Sequence, residues 1–127
     1  MSEAAGARAW HAAIAACHAR AATADATDWP QIAALYTALA ERVPSPVIEL
    51  NRAVAMGMAF GPAVALEIVD ALAGEPALAN YHPLPAVRGD LLEKLGRLTE
   101  ARAEFTRAAS LTQNAREREL LLKKAAG

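Results

Sequence analysis

The sequence has a single cysteine, few aromatic residues and no excess of charge of either sign. Because Cys17 has no partner cysteine, an intrachain disulfide is impossible, which is typical of a cytosolic protein. Thirteen Lys and Arg residues are balanced by fourteen Asp and Glu residues, which argues against a domain whose whole surface binds nucleic acid. No apolar run approaches the ~20 residues that a transmembrane helix needs, and residues 1–7 lack the pattern of a signal peptide. We therefore expect a cytoplasmic protein with no membrane partner, and the abrupt start in helical sequence suggests a segment of a longer protein.

The sequence also lacks the residue patterns of an active site, a nucleotide site or a metal site. The glycines form neither G-x-G-x-x-G nor a P-loop, and no serine lies in a nucleophile-elbow sequence. His11 and His18 lie on one side of the first predicted helix, but seven residues span ~10 Å, too far for two ligands of one metal ion without a third group. The sequence therefore predicts no catalytic residue, no metal site and no cofactor. We expect Cys17 to pack among alanines, the alternative being a reactive thiol.

Helical patterning is what the sequence does contain. Apolar residues make up 54% of the chain and aromatic residues only 5%, with alanine the most frequent residue. Alanine has the highest helix propensity and allows helices to approach closely. Residues 88–111, RGDLLEKLGRLTEARAEFTRAASL, are predicted to form two helices with a tight turn at Gly96. These features together predict an all-α fold.

The second of these two helices carries a repeat signature. Ala101, Phe105 and Ala108 recur at i, i+4 and i+7, so they share one face of an α-helix. Gly89, in the preceding helix, and Ala101 are small where the two helices would have to come close. Small, aromatic and small residues at these places are typical of the tetratricopeptide repeat (TPR), a helix–turn–helix unit of about 34 residues.

The same spacing recurs earlier in the chain, at Ile32, Tyr36 and Leu39. We therefore predict one domain with an all-α, TPR-like helical repeat fold, in which three helix–turn–helix repeats are followed by a C-terminal capping helix. The predicted boundaries are 13–46, 47–81 and 82–113 for the repeats and 114–126 for the capping helix. An irregular helical bundle is the alternative that the pattern leaves open.

The repeat register assigns structural roles to five residues. Trp29, Tyr36 and Phe105 are predicted to pack in the core or between repeats, although an aromatic edge that contacts a peptide is an alternative for Trp29 and Tyr36. Asp70 and Arg88 fall on normally apolar positions of consecutive helices. Because an isolated buried charge is costly, we expect these two side chains to be buried and to pair.

The spacing of apolar residues and the repeat register also predict an apolar side of one helix and a concave face. In the third helix of the chain the apolar side is predicted to consist of Val47, Leu50, Val54 and Met58. The concave face is predicted to carry Ile14, Cys17, Asn51, Ala55, Met58, Asp90, Glu93 and Lys94. From this mixed face we select as candidate partner-binding residues Asn51, Met58, Asp90, Glu93 and Lys94. A merely solvated surface is the alternative.

Several stretches resemble one known family. They follow one another from Trp10 onward as AAIAACHA, TDWPQIAALYTAL, PSPVIELNRAVAM, GPAVAL, RGDLLEKLGRLTEARAEFTRA and RERELLLKKAA. Together they resemble the C-terminal extension of a subgroup of extracytoplasmic-function (ECF) RNA polymerase sigma factors, in which a TPR-like domain follows two DNA-binding sigma domains. The resemblance covers nearly the whole chain, but the sigma domains that read the −10 and −35 promoter elements are absent from it.

The resemblance implies a role in bacterial transcription initiation that depends on protein partners. We expect a non-enzymatic protein-interaction and regulatory domain that contacts the parent's own sigma domains, the RNA polymerase core or a peptide. Promoter DNA would be bound only through the absent sigma domains of the parent. A stand-alone TPR adaptor that binds a peptide or protein is the leading alternative, and a small-molecule sensor is a more distant one.

Overall fold

The computed structural model describes residues 12–14 and 27–127, and the regular structure in these ranges is helical. Helical residues 12–14 are followed by six α-helices. In chain order these are α1 (Trp29–Arg42), α2 (Pro46–Phe60), α3 (Pro62–Leu72), α4 (Pro83–Lys94), α5 (Leu98–Leu111) and α6 (Ala115–Ala126), with a 3₁₀ turn at Pro76–Leu78. No strand occurs in the described ranges, and the predicted all-α helical repeat fold is confirmed. His11, Cys17 and His18 lie outside the described residues.

The helices begin at residues whose chemistry favours a helix start. Asp28 precedes α1, and its carboxylate accepts a hydrogen bond from the backbone N–H of Gln31 at 3.2 Å. Asn114 precedes α6, and its side-chain oxygen accepts from the backbone N–H of Glu117 at 2.9 Å. Each of α1 to α4 has a proline in its first two positions, where a missing N–H costs little. Local sequence therefore determines where these helices start.

The turn between α4 and α5 is tight because of Gly96. This residue has a φ of +78°, in the region that glycine adopts without steric cost. The N–H of Arg97 donates to the carbonyl of Leu92 at 2.9 Å, and the N–H of Gly96 donates to the carbonyl of Glu93 at 3.0 Å. These two bonds form a Schellman motif, which satisfies carbonyls at the end of α4 and reverses the chain. The turn at Gly96 is where the sequence predicts it.

Consecutive helices pack against each other along the described chain. The helix–turn–helix pairs are α2 with α3 and α4 with α5, while α1 packs on α2 and α6 packs on α5. The contact between α3 and α4 is smaller. This arrangement brings the first helices of neighbouring pairs, α2 and α4, side by side. Among the described helices, none combines the length and the apolar character needed to cross a membrane.

The helices α1, α3 and α5 direct the same positions, their fourth, eighth and eleventh residues, toward the interior. These residues are Ile32, Tyr36 and Leu39; Ala65, Val69 and Leu72; and Ala101, Phe105 and Ala108. All are buried except Tyr36, which is half-buried. When the helix pairs are numbered so that Ile32, Ala65 and Ala101 occupy the same position, the pair formed by α2 and α3 begins at Pro46. This start is one residue before the predicted one, Val47.

Two clusters of side chains form the core. The larger one spans α2 to α6 and includes Leu92 and Phe105, which are 0% and 1% exposed. Trp29 and Tyr36 pack at the edge of the smaller cluster, in agreement with their predicted packing role. The buried members of this smaller cluster are Ile14, Ile32, Ala33 and Ala55. The placement of Ile14 and Ala55 on the concave face is therefore wrong, since both pack against α1.

The predicted ion pair between Asp70 and Arg88 forms, but not in the core. Nε of Arg88 donates to a carboxylate oxygen of Asp70 at 2.9 Å, and a second guanidinium nitrogen lies 3.5 Å from an oxygen of Glu104. The Asp70 side chain is 48% exposed and that of Arg88 is 24% exposed. The predicted burial is therefore wrong for Asp70. The pair formed by α2 and α3 begins one residue earlier than predicted, and this difference turns the carboxylate toward solvent.

Candidate protein-binding groove

One side of α2 carries a stripe of residues that is apolar except for Asn51. Val47, Asn51, Val54 and Met58 follow one another at i, i+4, i+7 and i+11, so they share one helix face. The side chains of Val47, Val54 and Met58 are 38%, 37% and 47% exposed. Of the four residues predicted to form the apolar side of this helix, Leu50 is buried and the other three are exposed.

Small residues decide which side of α2 is buried. Ala53 is fully buried, and a β-carbon placed on Gly57 would lie only 2.8 Å from Cβ of Ala65. The closest approach of α2 to α3 therefore runs through Ala53 and Gly57. Val54 and Met58, which neighbour these small residues in sequence, are turned toward solvent. The small residues, rather than the larger apolar ones, therefore mark the contact between these two helices.

A groove of about 220 Å³ lies between the exposed stripe of α2 and the helix α4. Leu91, which is 6% exposed, is part of its lining and belongs to the core. The full lining consists of Val54, Gly57, Met58, Val87, Asp90, Leu91 and Lys94, and we call this the α2–α4 groove. It combines an apolar lining with one acidic and one basic side chain.

The structure brings three of the five candidate partner-binding residues together in this groove. Met58 comes from α2, and Asp90 and Lys94 come from α4. Asn51 lies on the same stripe of α2, two turns before Met58, and does not line the groove. Glu93 also does not line it, because it lies beside a smaller hollow of about 110 Å³ that includes residues of α5 and α6.

Asp90 and Lys94, the two charged residues that line the groove, do not pair with each other. Asp90 accepts a hydrogen bond from Nζ of Lys124, on α6, at 2.9 Å, and this ammonium also lies 5.3 Å from the centre of the Phe105 ring. Lys94 is four residues after Asp90, a spacing at which helix side chains can pair, yet it forms no ion pair within the described part of the chain. The lysine from α6 therefore neutralises Asp90, and the groove is left with the positive charge of Lys94.

A polar network fixes α6 in the position that this pairing needs. Nε2 of His82, just before α4, is 2.8 Å from a carboxylate oxygen of Glu117 on α6. The other oxygen of Glu117 accepts from the hydroxyl of Thr112 at 3.3 Å, and that hydroxyl oxygen accepts from the N–H of Asn114 at 3.2 Å. Thr112 is only 2% exposed, so its burial is compensated by these bonds. The network holds the start of α6 and so positions Lys124 next to the groove.

A second apolar cavity, which the sequence does not predict, lies between α1 and α2. Its volume is about 380 Å³, and its lining consists of Pro30, Ala33, Ala34, Thr37, Ala38, Glu41, Met56 and Phe60. Phe60 is 59% exposed, which is unusual for a large aromatic side chain. In the sequence, the sign of this cavity is an isolated aromatic residue, Phe60, directly before Gly61 and Pro62. Tyr36 is in the same helix as much of this lining, and burial raises the pKa of its phenol.

Comparisons with known proteins give one informative similarity. No protein-family model matches the chain. It is 51% identical over 106 residues to Uncharacterized protein R00370 of Rhizobium meliloti (strain 1021), an alignment that covers 84% of this chain and 25% of that relative. The chain thus spans about a quarter of the length of the curated relative that it matches.

Proposed function

We propose that the chain is a non-catalytic protein-interaction and regulatory domain of an ECF-type RNA polymerase sigma factor. In this proposal it acts in the bacterial cytoplasm during transcription initiation. It binds a segment of the parent's own sigma domains or of the polymerase core, and promoter DNA is contacted by the sigma domains alone. The main support from the residues is the resemblance of six stretches, in order, to the C-terminal extension of this sigma-factor subgroup.

The α2–α4 groove is the observation that favours binding as the mechanism. Val54 and Met58 present apolar surface to solvent beside two charged residues, Asp90 and Lys94. A patch of apolar side chains rimmed by polar groups is characteristic of protein-interaction sites. Helical repeat proteins also use extended concave surfaces of this kind for binding.

The length of the relative is compatible with a regulatory role inside a longer protein. Three quarters of the Rhizobium relative lie outside the alignment, which leaves room for other domains. A stand-alone adaptor remains the alternative function, since the same groove would serve it equally well. The two proposals differ in the rest of the protein: a helix–turn–helix sigma region on the N-terminal side of this segment favours the first, and its absence favours the adaptor.

The decisive experiment compares two charge-introducing variants in the full-length protein. Met58→Glu places a carboxylate on the groove, and Leu122→Glu places one on α6, where the leucine is similarly exposed, 49% against 47% for Met58. We expect Met58→Glu to lower promoter-specific transcription by core polymerase, because a charge opposes burial of the apolar groove on binding. Leu122→Glu should leave transcription unchanged.

The proposal is wrong if both variants initiate transcription as well as the unsubstituted protein, or if the full-length protein has no sigma activity. A stand-alone adaptor would leave transcription unaffected and would instead lose a protein partner in Met58→Glu. Circular dichroism and thermal unfolding of both variants provide the folding control, and both should retain the helical spectrum, since the two positions are exposed.

A further inference from the structure

We propose that the α2–α4 groove is specific for an acidic amphipathic segment, which inserts an aliphatic side chain between α2 and α4 and places a carboxylate beside Lys94. This inference rests on the proposed function for the existence of a protein partner. It adds the chemistry of the partner's segment.

The volume and lining of the groove favour a side chain of a protein over a separate small molecule. At about 220 Å³ it is below the ~300–1,000 Å³ of typical small-molecule pockets. Val54, Met58 and Val87 supply apolar contacts from both sides. Met58 has an unbranched, flexible side chain that adapts its shape to an inserted residue. An aliphatic side chain of a partner segment is therefore the occupant that this space fits.

The positive charge of the groove favours a negatively charged partner residue next to the inserted aliphatic side chain. Asp90 is already neutralised by Lys124 at 2.9 Å. Lys94 lies at the same groove and has no ion-pair partner within the described residues. A partner carboxylate would complete a pair with Lys94, whereas a partner lysine or arginine would face an uncompensated ammonium. Complementary charge of this kind determines specificity more than affinity.

Lys124 acts as a positioning residue in this arrangement, because it does not line the groove but sets its net charge. Without the ammonium of Lys124, the carboxylate of Asp90 would offset Lys94, and the preference for an acidic segment would disappear. The position of α6 thereby determines which partner segment the α2–α4 groove accepts.

The experiment uses two synthetic helical peptides that differ in one residue. Both carry leucines at i and i+4, which lie on one face. One peptide has glutamate and the other lysine at the position three residues after the second leucine, on the same helix face. Binding to the ¹⁵N-labelled 127-residue chain is measured by titration, with the amide resonance of Gly57 reporting on the groove. We expect the glutamate peptide to bind about two- to fivefold more tightly, the range for one exposed ion pair, and to shift the Gly57 resonance.

Charge reversal at two lysines provides the matched test. Lys94 and Lys123 each lie in the last turn of a helix, so reversing either one removes the same favourable interaction with the helix C-terminus. Lys94→Glu should invert the preference, so that the lysine peptide binds more tightly. Lys123→Glu should leave the preference for the glutamate peptide intact, and Lys124→Ala should abolish it.

Equal binding of the two peptides, an equal effect of Lys94→Glu and Lys123→Glu, or the absence of any shift at Gly57 with either peptide would overturn the inference. These results are separate from the test of the proposed function. If Met58→Glu impairs transcription but the peptides show no charge preference, only the chemistry of the segment is wrong. If the peptides bind as expected but transcription is unaffected, the groove is specific and the proposed role in transcription is wrong.

Discussion

Phe105 of α5 lies directly against the backbone of α4 at Gly89. A β-carbon added to Gly89 would stand 2.6 Å from Cε1 of the ring and 2.8 Å from Cδ1, distances at which the ring or one of the two helices would have to shift. The ring itself is 1% exposed. The glycine therefore allows the close approach of α4 and α5, and this approach fixes the side of α4 that lines the α2–α4 groove.

The first prediction is that Gly89→Ala destabilises the protein. Alanine would gain up to about 1 kcal/mol of helix propensity, but forcing a methyl group into a packed contact typically costs about 1–3 kcal/mol. Because Phe105 is a large ring without space to move, we expect the steric cost to dominate and the free energy of unfolding to fall. Gly74→Ala is the control, since no atom lies within 4 Å of the position its β-carbon would occupy. Urea denaturation of both variants measures the difference, and equal stabilities would contradict the packing at Gly89.

The second prediction compares the chain's two phenylalanines. Phe105→Ala should lower the free energy of unfolding by about 3–5 kcal/mol, because it leaves a cavity where a buried ring stood. Phe60 is 59% exposed, so Phe60→Ala should change stability by no more than about 0.5 kcal/mol. The midpoints of urea denaturation give both values. If Phe60→Ala proved as costly as Phe105→Ala, the exposed position of Phe60 and the buried position of Phe105 would both be in conflict with the measurement.

The third prediction concerns the ion pair between Arg88 and Asp70. Since Asp70 is nearly half exposed, solvent screens the attraction, and a double-mutant cycle with Arg88→Ala and Asp70→Asn should give a coupling of about 0.2–1 kcal/mol. A buried pair would give a much larger value, because removal of one partner would leave an uncompensated charge. The control cycle combines Arg88→Ala with Glu67→Gln, which lies on the same helix as Asp70 and should show no coupling. A coupling of several kcal/mol for the first pair would contradict the exposed position of Asp70.

How much of this structure the sequence predicts depends on whether the signal is local. The caps at Asp28 and Asn114 and the turn at Gly96 follow from a few neighbouring residues, and they lie where local chemistry predicts them. The i, i+4, i+7 spacing of α5 likewise identifies its buried face, at Phe105. These signals suffice for an all-α repeat fold.

The orientation of α2 could not be predicted in the same way. Its sequence between residues 53 and 60, AVAMGMAF, is apolar on nearly every side, so periodicity alone does not select one buried face. The choice is made by α3, whose Ala65 admits only a small neighbour, Gly57. The pairing of Asp90 with Lys124 is similarly non-local, since 34 residues separate them. Local helix spacing favours Lys94 as the partner instead, so the net charge of the groove emerges only from the packing of α6.

The fourth prediction concerns pH. The side-chain hydrogen bonds from Arg97 hold the pKa of Glu100 below its ordinary value, and the same bonds raise the pKa of Arg97. The two guanidinium nitrogens lie 3.0 and 2.6 Å from the two carboxylate oxygens. A carboxyl group whose pKa is lower in the folded state stabilises that state at pH values above its unfolded pKa. This contribution is lost as the pH falls through the pKa of the folded state.

Glu100→Gln should therefore reduce stability near neutral pH and have less effect in acid, where the carboxyl group of the unsubstituted protein is protonated as well. Glu119→Gln, which changes an exposed carboxylate on α6 without an ion pair in the described ranges, is the control and should leave stability near neutral pH unchanged. Thermal unfolding across the acid range measures the effect, and NMR titration of the Glu100 carboxyl carbon locates its pKa. A pKa of Glu100 at or above the ordinary value would contradict the bidentate contact with Arg97.

The last prediction is that the 127-residue chain alone does not recognise promoter DNA. Binding to duplex DNA depends mainly on neutralising phosphate charges with Lys and Arg, and here thirteen basic residues are offset by fourteen acidic ones. Several of the basic side chains are also occupied within the fold: Arg88 and Lys124 bind carboxylates, and Arg118 donates to backbone carbonyls at the end of α5. A titration with a promoter duplex at ~0.15 M salt, with the full-length protein as the positive control, should show binding only by the latter. Sub-micromolar, sequence-dependent binding by the chain itself would mean that it contributes directly to promoter recognition, and the assignment of DNA contact to the sigma domains alone would then be wrong.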